Sequence, residues 1–142
     1  MASQVNRASA RIGAKRLLAL LFGRLPVDKD YTTKSGEWSE ALLQLRDRHE
    51  EYEDLFEGLT FSRRPGRRPY SREVSKFLLR LQAGTVVQVI NPGVTRLRIR
   101  SEVQKELYEH HARRVDEDTL SIVDQLATEL AKNSILAVPS AS

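Results

Sequence analysis

The chain has no cysteine among its 142 residues. That excludes disulfides, thiolate nucleophiles and cysteine-ligated zinc, and it fits a reducing compartment. Aromatic residues make up only 6%, which weakens any reading built on base-stacking platforms. No apolar run approaches the roughly 18 to 20 residues that span a bilayer, so an integral membrane protein is not expected. Also missing are a Gly-rich phosphate loop, HExxH, GxSxG and any carboxylate pair of recognisable spacing, and there are only 3 histidines. Nothing can be assigned as acid, base or nucleophile, so the expectation is a protein that is not an enzyme and needs no cofactor.

What is present is charge, and it is segregated. The formal net charge is +4 and 30% of residues are charged. Residues 1–27 contain no acidic side chain at all. Arg7, Arg11 and Lys15 recur at i, i+4, i+8, while Ala14, Leu17, Leu18, Leu21, Phe22 and Leu25 form an apolar face at helical spacing. The segment reads as a basic amphipathic helix ending at Gly23 and Pro26. It is a core helix with a solvated basic edge, a mitochondrial targeting segment, or a helix docking on a partner. The rest of the chain points to a cytoplasmic or nucleoid-like intracellular location.

Residues 28–36 form a polar linker. Beyond it Trp38, Ala41, Leu42, Leu45, His49, Tyr52, Leu55, Phe56 and Leu59 predict one helix of five to six turns. Its other face is acidic. Glu50, Glu53, Asp54 and Glu57 share a helix face, and His49 could complete a metal site. A carboxylate di-metal bundle needs Glu-x-x-His on two helices, which the chain does not supply, so no metal is expected and the run reads as a solvated face.

Positive charge and turn signals concentrate between residues 63 and 100. Arg63-Arg64-Pro65-Gly66-Arg67-Arg68 places two arginine doublets on a loop that proline and glycine keep out of a regular helix. Guanidinium groups bind phosphate bidentately, and exposed loop arginines contribute little to stability, so an anionic partner is one expectation. The other is neutralisation by the acidic helix just before. Ser71 then caps a helix through about Gln82 with Val74, Phe77, Leu78 and Leu81 inward and Arg72, Lys76 and Arg80 on or near the other face. Thr85 to Ile90 and Val94 to Arg100, separated by Asn91-Pro92-Gly93, predict a β-hairpin over 85–100. Thr95, Leu97 and Ile99 fall on one face of it, and Arg96, Arg98 and Arg100 on the other.

The run from Ser71 to Gln82, followed by Thr85 to Val89, Pro92-Gly93 and Arg96-Leu97-Arg98-Ile99-Arg100, resembles the recognition helix and wing of winged helix-turn-helix DNA-binding domains. That resemblance implies a helix in the major groove and a wing on the adjacent backbone or minor groove. Arg72, Ser75, Lys76 and Arg80 would then face DNA, with Arg96 and Arg98 in the wing. Where the family has a short helix and a tight turn, this chain has the Arg/Pro/Gly loop.

Two further helices are expected, from Ser101 to about Val115 and, capped by Asp116-Glu117-Asp118, through Leu130. Residues 134–142 read as a tail. The expected fold is therefore mainly α, about five helices with one β-hairpin, winged-helix-like in the middle. The divisions are residues 1–27, a single helical domain over 28–133, and the tail. The expected function is nucleic-acid binding, of DNA in the first place, through Arg63, Arg64, Arg67, Arg68, Arg72, Lys76, Arg80, Arg96, Arg98 and Arg100. The competing expectation is an assembly or interaction subunit, for example viral or secretion-related, that meets an acidic protein face or self-associates.

Overall fold

A computed structural model describes residues 12–26, 30–83, 87–91, 94–97, 99 and 101–137. Among the described residues five α-helices carry the body: α1 (Ala14–Gly23), α2 (Ser35–Arg48), α3 (Arg72–Ala83), α4 (Ser101–Ala112) and α5 (Glu117–Ala131). Two 3-10 segments, Glu50–Phe56 and Ser134–Leu136, and two strands, β1 (Val87–Asn91) and β2 (Val94–Leu97), complete it. No described helix is long and apolar enough to cross a membrane.

The centre of the fold is α1. All six residues from Leu17 to Phe22 are buried, so the helix has no solvated side over that stretch, as befits a run that is apolar all round. It packs against α4, α5 and α3 and touches the first 3-10 segment. Its last turn is closed by a polar group from outside: Gln104 Nε2 donates to the carbonyls of Phe22 and Leu25, 2.8 Å each. A helix end needs such donors when it is buried. The ring of Phe22 lies 4.6 Å from that of Trp38 and 5.1 Å from that of Phe77. Trp38 is fully buried, with its indole N–H on the carbonyl of Thr32 at 2.7 Å.

The helix expected to continue to Leu59 breaks. α2 stops at Arg48, His49 takes φ −126° and ψ 66°, and Tyr52 interrupts the 3-10 segment with non-helical angles. Like charges at Glu50, Glu53, Asp54 and Glu57 repel at three- and four-residue spacing. The break turns Leu55 and Phe56 into the core instead, 2% and 1% exposed. The caps are closer to expectation. The Ser71 hydroxyl accepts from Val74 N at 3.4 Å ahead of α3, and the Asp116 carboxylate accepts from Thr119 N at 3.2 Å ahead of α5.

The fold-class expectation of a winged-helix-like middle with a projecting β-hairpin over 85–100 is corrected. The body is helical, and among the described residues the strands pair over Val87–Asn91 with Val94–Leu97, with a register shift between Val89 and Asn91. The base of this ladder is interior. Leu97 is fully buried and exchanges backbone hydrogen bonds with Tyr31, 2.9 and 2.8 Å, while Tyr31 also bridges Ala137. A wing has to stand free to reach a nucleic-acid backbone, whereas here the second strand ends in the core. Nor is there a helix-turn-helix among the described residues: what precedes α3 is the arginine loop, and before that a kinked 3-10 segment. Of the residues expected on the wing, Arg98 and Arg100 lie outside the described residues, as do 84–86 and the Pro92-Gly93 turn. Residues 134–137 are part of the body, with Leu136 fully buried and its carbonyl accepting from Thr32 N at 3.0 Å.

Candidate functional site

The arginine loop is closed at its base. Ser62 and Tyr70 exchange backbone hydrogen bonds, Ser62 N to Tyr70 O at 2.9 Å and Tyr70 N to Ser62 O at 3.1 Å. At its tip Arg67 N donates to Arg64 O at 3.0 Å. Pro65 and Gly66 occupy the two central positions of that turn, and Gly66 has φ 73°. Proline at the first central position and a positive-φ glycine at the second are the chemistry of a type II turn. The loop is therefore a short ordered finger rather than a tether. A second fastening lies just outside it: the Glu73 carboxylate accepts from Thr60 N at 2.9 Å, from the Thr60 hydroxyl at 3.0 and 3.2 Å, and from the Ser71 hydroxyl at 3.1 Å. Burial alone would raise the pKa of Glu73, but the Thr60 and Ser71 hydrogen bonds outweigh it and hold the carboxyl below its usual range.

The four loop arginines are all exposed but are not equivalent. Arg63 pairs with Asp47 at 3.2 Å, with both side chains more than half exposed. Arg68 bridges two carboxylates of α2, Glu40 at 2.7 Å and Glu37 at 3.5 Å. Arg64 and Arg67 have no ion pair among the described residues. Between the loop and α2 runs a groove of about 650 Å³, whose charged lining is Arg63, Arg64, Arg67 and Arg68 against Glu40 and Asp47. So half of the loop's positive charge is met internally and half is not. An exposed pair such as Arg63 with Asp47 contributes only about 0–1 kcal/mol, so an incoming anion can compete for it.

On α3, Arg72, Lys76 and Arg80 are exposed, one per turn, and Arg72 adjoins the base of the loop beside Ser62 and Tyr70. Arg96 lies in β2, paired with Gln88 across the ladder. The structure thus brings together the loop arginines and Arg72, with Lys76 and Arg80 extending along the same helix. Arg96 belongs to a different element.

A second group of cations gathers where α1 begins and α4 ends. Burial, and after it the charges of His110, Arg16, Lys15 and Arg114, lower the pKa of His111. Among the described residues no three or more His, Asp or Glu side chains are arranged to hold a metal ion. The carboxylates of the 3-10 segment are scattered by its kink.

Several parts of this surface have no sequence signal. The partners of Arg63 and Arg68 lie on the acidic helix expected to neutralise the loop, but the Thr60–Glu73 fastening joins residues of no recognisable motif. Tyr70, 46% exposed, passes in sequence for one more residue of a polar loop. No protein-family model, curated protein or solved structure matches the chain.

Proposed function

We propose that the protein is a non-enzymatic nucleic-acid-binding module that takes phosphates on the arginine finger. The observation that carries this is the closed loop with Arg64 and Arg67 at the turn, both exposed and without an ion pair among the described residues. A preformed loop spends little conformational entropy when it binds, and guanidinium is the side chain best matched to phosphate. Arg63 and the row Arg72, Lys76 and Arg80 extend the positive surface, while Arg68 serves chiefly to hold the loop against α2.

The binding constant should fall with salt, at a log-log slope of about −0.7 to −0.9 per phosphate neutralised. The double variant Arg64→Ala/Arg67→Ala should make that slope shallower by roughly 1.4 to 1.8 without changing the melting temperature. Arg68→Ala should instead lower the melting temperature. A slope near zero for the natural chain, or protein purified without nuclease that carries no absorbance excess at 260 nm and shifts no oligonucleotide at low salt, overturns the proposal.

A second reading is favoured by one specific observation. Arg63 and Arg68 already bind carboxylates of the chain itself, so an acidic protein face is a chemically sufficient partner for the same loop. Light scattering across a salt series separates the two: salt-sensitive assemblies with no nucleic-acid affinity favour the assembly subunit.

A further inference from the structure

The base of the arginine finger has a hollow of its own. Phe61, Ser62, Tyr70, Thr60, Arg72 and Glu73 line a depression of about 410 Å³ there. Its chemistry differs from that of the groove in three respects. It has no net formal charge, because Arg72 is offset by Glu73, and the Glu73 carboxylate is fixed there by Thr60 and Ser71. Its balanced charge attracts phosphate less than the cationic groove does and leaves room for an uncharged ring with polar edges. It also contains two aromatic side chains. The guanidinium of Arg46 lies over the ring of Phe61, 5.3 Å from its centre. Tyr70 is 46% exposed, and among the described residues Leu79 is the only other large hydrophobic side chain so open to solvent. Finally, the backbone of Tyr70 is locked to Ser62 by the two hydrogen bonds that close the finger, so its ring is carried on an anchored segment.

A charge-balanced depression with an exposed aromatic ring and Arg72 in its lining has the makings of a nucleotide site. We propose that an unpaired nucleobase enters this depression and stacks on Tyr70 while the adjoining phosphate lies on the exposed Arg72 at its edge. The ligand is accordingly single-stranded nucleic acid. Bases in a duplex are already stacked and paired and cannot enter, whereas stacking on one aromatic ring is open to every base. The scarcity of aromatic residues argues against an extended platform, not against one well-placed ring. This inference rests on the nucleic-acid reading above, and its test is chosen to fail separately from it.

The full chain is titrated by fluorescence anisotropy with three labelled probes: an oligothymidylate, an abasic strand of the same length, and a duplex. The natural chain should bind the oligothymidylate more tightly than the other two. Tyr70→Ala should weaken oligothymidylate binding by roughly five- to a hundredfold, as expected for one lost base–aromatic contact, and leave the other two affinities unchanged. Tyr70→Phe should restore it. Tyr70→Trp supplies a readout that does not depend on the alanine variant folding: its emission should be quenched by the oligothymidylate and not by the abasic strand, over the constant signal of the buried Trp38. Equal affinity for oligothymidylate and abasic strand, equal loss on all three probes, or no quenching by a strand that binds overturns the nucleobase site and leaves the phosphate reading standing. Failure to bind any probe overturns both.

Discussion

The Glu129 carboxylate on α5 is where the far end of α2 is fastened. His49 Nε2 lies 2.8 Å from one of its oxygens and Arg48 3.4 Å from the other, and His49 also stacks on Tyr52. Partial burial acts to raise the pKa of Glu129, but the hydrogen bonds and charges of His49 and Arg48 prevail and lower it. A carboxyl whose folded-state pKa lies below its unfolded value contributes stability that is complete above the unfolded value. That contribution is lost as pH falls through the folded one. Thermal melts between about pH 3 and 7 should therefore show an acid limb that Glu129→Gln makes shallower, with the variant's deficit largest at neutral pH. Legibility in the sequence differs sharply from one residue to the next. The two arginine doublets stand out because nothing in a Pro-Gly loop competes to explain them. Gln104 does not: a glutamine on an amphipathic helix reads as solvent-facing, yet it is 4% exposed because two carbonyls at the end of α1 need donors. That need arises only once the chain has folded back by some eighty residues.

Periodicity located the five α-helices because burial of one face imposes it locally. It overran at His49, since the apolar spacing of Tyr52, Leu55 and Phe56 is compatible both with a continuous helix and with a kinked 3-10 turn. The choice between them is made by repulsion among the acids and by the tie from His49 to Glu129. The strand pair was misjudged for a related reason. Alternation in Arg96-Leu97-Arg98-Ile99 reads as one face in and one face out, but the depth at which Leu97 sits is set by Tyr31 from a distant segment. The junction of α1 with α4 makes a sharp prediction. A Cβ on Gly23 would come within 2.9 Å of Tyr108 Cβ and within 3.3 Å of Gln104 O and Tyr108 Cα. Alanine is the better helix former by about 1 kcal/mol, yet backbone atoms of α4 cannot swing aside. Gly23→Ala should lower stability by about 1–2 kcal/mol net, the range of an overpacked core, measurable as a drop in denaturation midpoint at unchanged slope.

The whole molecule is organised inward on α1 and outward on the arginine finger. Arg64, Arg67 and Tyr70 are exposed, while α5 contributes Val123, Leu126 and Leu130 to the core. A chain truncated after Val115 should consequently lose cooperative melting, and its Trp38 emission should shift to that of a solvated indole. The burial of α1 also bears on how the protein is made. Leu17 to Phe22 leave the ribosome ahead of α4 and α5, two of the helices that enclose them, which are completed only at Ala112 and Ala131. At roughly 5–20 residues per second, six consecutive apolar residues stay uncovered for about 5 to 20 s in every round of synthesis, long enough for a chaperone or a second nascent chain to reach them. Expression yield should thus respond more to cooling and to holdase supply than the stability of the finished fold would suggest.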